Sequence, residues 1–180
     1  MGGGLVKNIC CREKIWQPEP NWPITANKWY DVIPLHDPCS IFRELRNSIE
    51  TLPASFYIQG AEELLLDAYL ELNKIRAGHE LGDEIEAREA AHRFAHDLAL
   101  FVAFLNRTFY KRGSKSIFKE SKEFKIIPTS YGDEIHKLAG HVFVDLPTLK
   151  TSAEKLWMEV LKTAELNGVR LRQKQSLEEI

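Results

Sequence analysis

The sequence predicts a mainly α protein: a single-domain helical bundle of about four main helices, with an extended Pro/Trp-rich N-terminal arm and a small β element near residues 115–146. Three observations support this fold class. Apolar residues repeat at steps of three and four over long stretches of the chain. Glycine, proline and capping residues separate those stretches. The 180 residues, 44% hydrophobic and 28% charged, suffice for one domain with a substantial core but not comfortably for two.

The chain divides into three predicted parts. Residues 1–12 are expected to be a flexible leader, residues 13–166 a single helical domain with its arm, and residues 167–180 a charged tail. Residues 13–40 contain five prolines, and proline removes an amide donor and blocks regular helix, so we expect an extended arm there. Its large aromatic residues indicate that the arm packs on the helical body; they are Trp16, Trp22, Trp29 and Tyr30.

The N-terminus and the cysteines bear on location. The three cysteines, Cys10, Cys11 and Cys39, are an odd number with two adjacent, which favours a reducing, cytoplasmic compartment over a disulfide framework. No apolar run approaches the roughly 18 residues of a membrane-spanning helix. The alternative is membrane association through myristoylation of Gly2 and palmitoylation of Cys10 and Cys11. These are two lipid signals, as stable anchoring requires. Val6 stands where the myristoylation pattern has serine or threonine.

The first two helices follow the arm. Ser40 is predicted to cap a helix over residues 41–52. A second helix is predicted over residues 58–77, with Gly78 and Gly82 ending it. Its core-facing stripe has helical spacing and consists of Ala61, Leu65, Ala68, Leu72 and Ile75.

Two further helices complete the predicted bundle. Asp83 is expected to cap a long third helix that reaches about Lys111. Its stripe consists of Ala87, Ala91, Phe94, Leu98, Phe101 and Leu105, and beyond Leu98 apolar residues occupy several sides of the helix, which predicts burial all round. The last helix is predicted from Thr151 or Ser152 to about Leu166.

The segment between these helices carries the predicted β element. Residues 117–118, 124–128 and 141–145 have the composition of short strands or extended pieces, separated by Ser, Gly and charged residues. A short helix is predicted near residues 132–138.

Charge changes sign abruptly along the chain. Residues 51–105 hold 4 basic and 10 acidic residues, whereas residues 106–126 hold 7 basic and 2 acidic, although the whole chain has a net charge of only −2. The predicted binding residues are Arg107, Lys111, Arg112, Lys115, Lys119, Lys122 and Lys125, with the aromatic Phe109 and Tyr110. Cations neutralise phosphates and aromatic rings stack on unpaired bases, so residues 107–125 predict contact with an anionic partner. Nucleic acid and a partner protein both fit, and an ordinary solvated surface is the third interpretation.

A second pattern indicates a metal site. Glu89, His92 and His96 fall within about 60° on a helical wheel, and Asp133 with His136 repeats the acid-x-x-His spacing. Imidazole and carboxylate are suitable ligands for Zn, Fe or Mn, so these five residues predict an alternative function as a metal-dependent hydrolase or di-metal carboxylate enzyme. The competing interpretation is a solvated helix face with polar contacts between neighbouring turns.

Missing motifs narrow the function further. The sequence lacks a Walker-type glycine-rich loop, a G-x-S-x-G elbow and a CxxC pair, which disfavours P-loop hydrolysis, common esterase chemistry and zinc ribbons. We therefore expect a non-enzymatic binding or adaptor protein without a cofactor, contacting a protein partner, nucleic acid or both, with homo-oligomerisation left open.

Overall fold

A computed structural model describes residues 19–30, 33–37 and 40–171 of the chain. Its α-helices are α1 (Trp22–Thr25), α2 (Asn27–Tyr30), α3 (Ile41–Glu50), α4 (Ala54–Leu81), α5 (Glu84–Leu105), α6 (Ile117–Glu120), α7 (Tyr131–Leu138) and α8 (Leu146–Leu166). Two 3₁₀ turns, Gly113–Ser116 and Ser121–Glu123, flank α6. The predicted mainly helical fold is confirmed. Within the described ranges, no helix is both long and apolar enough to cross a bilayer.

The antiparallel hairpin of α4 and α5 forms the centre of the bundle. All five residues of the predicted α4 stripe are buried, and so are Leu100, Val102, Ala103 and Phe104 of α5, as the sequence predicted. Gly82 (φ 70°) caps α4 in the left-handed region, and the Asp83 carboxylate accepts a hydrogen bond from the Glu86 amide at 3.1 Å. The predicted caps at this turn are therefore confirmed.

Two glycines let α4 and α5 approach closely. A Cβ atom added to Gly60 would lie 2.3 Å from Cε1 of Phe104, and one added to Gly78 would lie 2.9 Å from Cβ of Ala87. Helix α4 begins at Ala54 and continues to Leu81, so Gly78 lies inside it. The prediction that Gly78 ends the helix near residue 77 is wrong. Its small size serves interhelical packing rather than termination.

Helix α8 closes the bundle and begins earlier than predicted. Asp145 caps it by accepting a hydrogen bond from the Thr148 amide at 3.0 Å, and Pro147 occupies the first turn, where proline is tolerated. The predicted start at Thr151 or Ser152 is wrong because both residues lie inside the helix.

Helix α7 docks on α8 through a buried carboxylate. Glu134 is 4% exposed and accepts hydrogen bonds from Lys137 at 2.9 Å and Lys155 at 2.8 Å. These two ammonium groups overcome the effect of burial and hold the pKa of Glu134 at about 2. The short helix predicted near residues 132–138 is confirmed as α7.

The predicted β element near residues 115–146 is wrong. Across residues 106–145 the structure contains helical turns and loops but no strand. Ile117 and Phe118 are buried on neighbouring positions of α6, so the alternation of apolar and charged residues reflects short helical turns against α5. Hydrophobic periodicity cannot separate strands from helical turns over so few residues.

The N-terminal arm packs on the bundle as predicted but is not extended throughout. Residues 22–30 form α1 and α2, and Pro23 stands in the first turn of α1. The Trp22 ring is buried, with its centroid 5.3 Å from Phe56 and 5.8 Å from Phe104. Helix α3 is capped by Asp37, whose carboxylate accepts from the Ile41 amide at 2.8 Å; Ser40, the predicted cap, makes no such bond. The leader over residues 1–12, including Gly2, Cys10 and Cys11, lies outside the described residues, as do Cys39 and residues 172–180.

Candidate functional site

Residues 107–125, the basic segment, form a connection of loops and short helical turns that is closed at its base by Asn106. The Asn106 amide nitrogen donates to the carbonyl oxygens of Val102 (2.7 Å) and Ile126 (2.8 Å), and its side-chain oxygen accepts from the Ile126 amide at 2.8 Å. Residues 106 and 126 are thereby held side by side. We call this set of hydrogen bonds the Asn106 clamp. Arg107 and Lys125 flank it and consequently lie at the same end of the bundle.

Helix α5 ends at Leu105, six residues before the predicted end at Lys111. Thr108 N donates to Ala103 O and Arg107 N donates to Phe104 O, both at 3.0 Å, which is the Schellman arrangement of a helix C-terminus. Arg107 occupies the left-handed position of this motif with φ 51°, a place usually taken by glycine. Sequence reasoning missed this end because no glycine marks it.

The aromatic residues of the basic segment face the core. Tyr110 is 0% exposed and its hydroxyl donates to Ala99 O at 2.6 Å; burial raises its pKa well above the ordinary value. Phe109 packs against Trp22 and Tyr30, with centroid distances of 6.1 and 5.1 Å. Phe118 is 9% exposed. The interpretation of Tyr110 as a stacking surface is therefore wrong: its ring anchors the segment to α5.

The cations of the basic segment face the solvent. Six are exposed, namely Arg107, Lys111, Arg112, Lys115, Lys119 and Lys125, while Lys122 is half-buried. Among the described residues none of these seven side chains forms an ion pair. Glu120, one of the two acids of the segment, is occupied by Ser116 and by the Lys111 amide. The segment thus presents a surplus of positive charge to any partner.

A cavity of about 420 Å³ lies beside the clamp. It is lined by Tyr57, Ile58, Phe104, Leu105, Asn106, Arg107, Lys125, Ile126, Asn167 and Val169. Arg107 and Lys125 bring two positive charges to this lining, and none of its residues is acidic. Sequence reasoning missed Tyr57, Asn106 and Asn167, because their approach depends on tertiary packing.

The predicted metal ligands do not converge. Glu89 pairs with Arg93 at 3.4 Å, His92 Nδ1 lies 3.2 Å from Ala139 O, and His96 Nδ1 lies 3.7 Å from a carboxylate oxygen of Asp97. In the portion of the chain described by the structure, no group of three or more His, Cys, Asp or Glu side chains is arranged to hold one metal ion.

The other two predicted ligands lie on α7. Asp133 is exposed in the first turn, and His136 Nδ1 lies 2.9 Å from Nδ1 of His141. Burial lowers the pKa of His136, and Lys122 and His141 lower it further. His141 was not predicted, and its pairing arises because the turn after α7 folds back: the amides of His141 and Val142 both donate to His136 O.

Comparison with known families shows a match over most of the chain. The family model described as KNTase C-terminal domain matches residues 39–170, which is 132 of the 180 residues. The matched range includes α3 to α8 and the whole basic segment, while α1 and α2 precede it. A comparison with curated proteins found no match.

Proposed function

Because the chain belongs to the KNTase C-terminal domain family, we propose that it is a non-catalytic helical module that works beside a nucleotidyltransferase and binds nucleic acid through its basic segment. The family description suggests association with a nucleotidyltransferase. The observation that carries the nucleic-acid part is the set of six exposed cations on residues 107–125. We place this function in the cytoplasm, without a metal or cofactor.

Phosphate neutralisation supports the proposal more strongly than base stacking does. Lys and Arg release condensed counterions when they contact phosphates, and this term supplies most of the affinity in sequence-independent binding. The rings that would stack on bases are anchored in the core, so we expect weak sequence preference. The partner contacts exposed cations on a loop whose base is fixed by Asn106, and little rearrangement of the bundle is needed.

The acidic remainder of the bundle makes the binding local. Residues 51–105 carry a net charge of −6, against +5 for residues 106–126. A polyanion is repelled by the α4–α5 hairpin and attracted by the basic segment, so a single binding orientation is favoured. A protein partner with an acidic surface is the competing possibility. It predicts no affinity for an oligonucleotide in the titration described next.

The test is fluorescence anisotropy of a labelled single-stranded oligonucleotide over a series of salt concentrations. The variant Arg112→Gln/Lys115→Gln/Lys119→Gln removes three exposed cations. The control variant Lys28→Gln/Lys162→Gln/Arg170→Gln removes three exposed cations of the same kinds elsewhere in the chain.

Removing three phosphate contacts should lower the slope of log affinity against log salt by about 2, since each contact contributes roughly 0.7 for single strands. The control triple should bind as the native chain does. Absence of oligonucleotide affinity at low salt, or an equal loss in both triples, would overturn the nucleic-acid proposal.

A further inference from the structure

We propose that the cavity beside the Asn106 clamp binds a phosphate monoester that carries a planar apolar group, such as a nucleoside monophosphate, with Arg107 and Lys125 on the phosphate. This inference deepens the proposed function, since both cations belong to the basic segment. It adds a defined small-ligand site, whereas the rest of the basic segment contacts only the phosphate backbone of a nucleic acid.

The clamp places two cations on one cavity. Asn106 holds Ile126 beside it through two hydrogen bonds of 2.8 Å, so the neighbouring Arg107 and Lys125 both line the cavity although they are 18 positions apart in sequence. Neither side chain forms an ion pair within the described residues, and no acid lines the cavity. Two unpaired cations without a local carboxylate favour a ligand with more than one negative charge.

The lining also contains a polar group and an apolar surface. Tyr57 is one of the lining residues, and its phenol hydroxyl is a group that can donate a hydrogen bond. Burial raises the pKa of Tyr57 and the charge of Arg107 partly lowers it, so the phenol is neutral and lies within the field of the guanidinium. Ile58, Leu105 and Val169 provide the apolar part of the lining. A ligand that combines a phosphate with an apolar plane matches this composition of the lining.

The volume and the backbone agree with this assignment. The cavity volume of about 420 Å³ falls within the roughly 300–1,000 Å³ range of small-molecule sites. Arg107 holds a left-handed conformation (φ 51°) that strains an L side chain and that glycine would adopt without strain. Strained residues of this kind concentrate where a side chain is needed for binding. Arginine at this position brings a guanidinium to the cavity lining.

The test is isothermal titration calorimetry of the full chain with adenosine 5′-monophosphate, and with adenosine and inorganic phosphate as partial ligands. We expect one saturable site for the monophosphate. Each partial ligand should bind at least about tenfold more weakly. Arg107→Gln and Lys125→Gln should each weaken monophosphate binding about tenfold, since each removes a charge-assisted hydrogen bond to the phosphate. Arg107→Lys should recover part of that loss, and Lys162→Gln should have no effect.

Three results would overturn the inference: no saturable site for the monophosphate, equal binding of adenosine or of inorganic phosphate, or native affinity in Arg107→Gln. Its failure is distinguishable from failure of the proposed function. Monophosphate binding without oligonucleotide binding supports the cavity site and removes the nucleic-acid proposal. Oligonucleotide binding that depends on Arg112, Lys115 and Lys119, without monophosphate binding, does the reverse.

Discussion

Replacing Gly60 with alanine tests the close approach of α4 and α5. The added Cβ would lie 2.3, 2.5 and 2.7 Å from three ring atoms of Phe104, so the ring must move by about 1 Å to reach van der Waals contact. The ring is fully buried against Trp22 and Phe56, which leaves it little room. Overpacking costs about 3 kcal/mol at the upper end of its usual range, and alanine regains about 1 kcal/mol in helix propensity. We expect Gly60→Ala to lower the free energy of unfolding by about 2 kcal/mol.

The matched control is Gly132→Ala in α7, where the nearest atom to the added Cβ is Lys122 Cδ at 3.8 Å. This variant should gain about 0.5–1 kcal/mol, because alanine is the better helix former and has no clash. Urea unfolding followed by circular dichroism measures both variants. If Gly60→Ala proves as stable as Gly132→Ala, the two helices do not approach as described. Phe104→Leu in the Gly60→Ala background should restore part of the loss if the ring is the obstacle.

Three further predictions concern strain, acid stability and metal content. Arg107→Gly should raise the free energy of unfolding by up to about 1 kcal/mol in urea titrations, because glycine tolerates φ 51°, and it should weaken monophosphate binding; a loss of stability would contradict the strain. The pKa of Glu134 is about 2 in the folded chain and near 4.5 when unfolded, so its stabilisation is complete above pH 4.5 and disappears as pH falls towards 2. That loss should amount to at most about 3 kcal/mol and be absent in Glu134→Gln, as acid unfolding curves of both proteins would reveal. Elemental analysis of chain purified without a His-tag should show no stoichiometric Zn, Fe or Mn, and one equivalent of any of them would revive the metal hypothesis.

The long helices could be predicted from sequence because their periodicity extends over many turns. The α4 stripe and the apolar half of α5 each repeat often enough to exclude a strand, and Asp83 and Gly82 mark the turn between the helices with standard cap chemistry. The segment from 106 to 145 could not be predicted in the same way. Its helical elements have three to eight residues, too few to separate a helical period from alternation.

The candidate site divides along the same lines. Clustering of lysine and arginine is visible in the sequence, and the exposure of these side chains follows from their charge. Burial of Tyr110 does not follow, since it depends on an acceptor, Ala99 O, supplied by α5. The cavity was equally invisible, because it needs Tyr57 from α4, Asn106 at the end of α5 and Asn167 after α8 to meet.

The uneven charge along α5 has a consequence for how the molecule approaches others. Acidic residues surround the start of this helix and cations follow its end, about 33 Å away for 22 residues. Although its net charge is only −2, the protein therefore has a permanent electric dipole moment. This dipole orients the protein in the electric field of a polyelectrolyte before contact. The basic segment would face the partner in most encounters. The association rate should decline with ionic strength even if the lifetime of the bound state does not change.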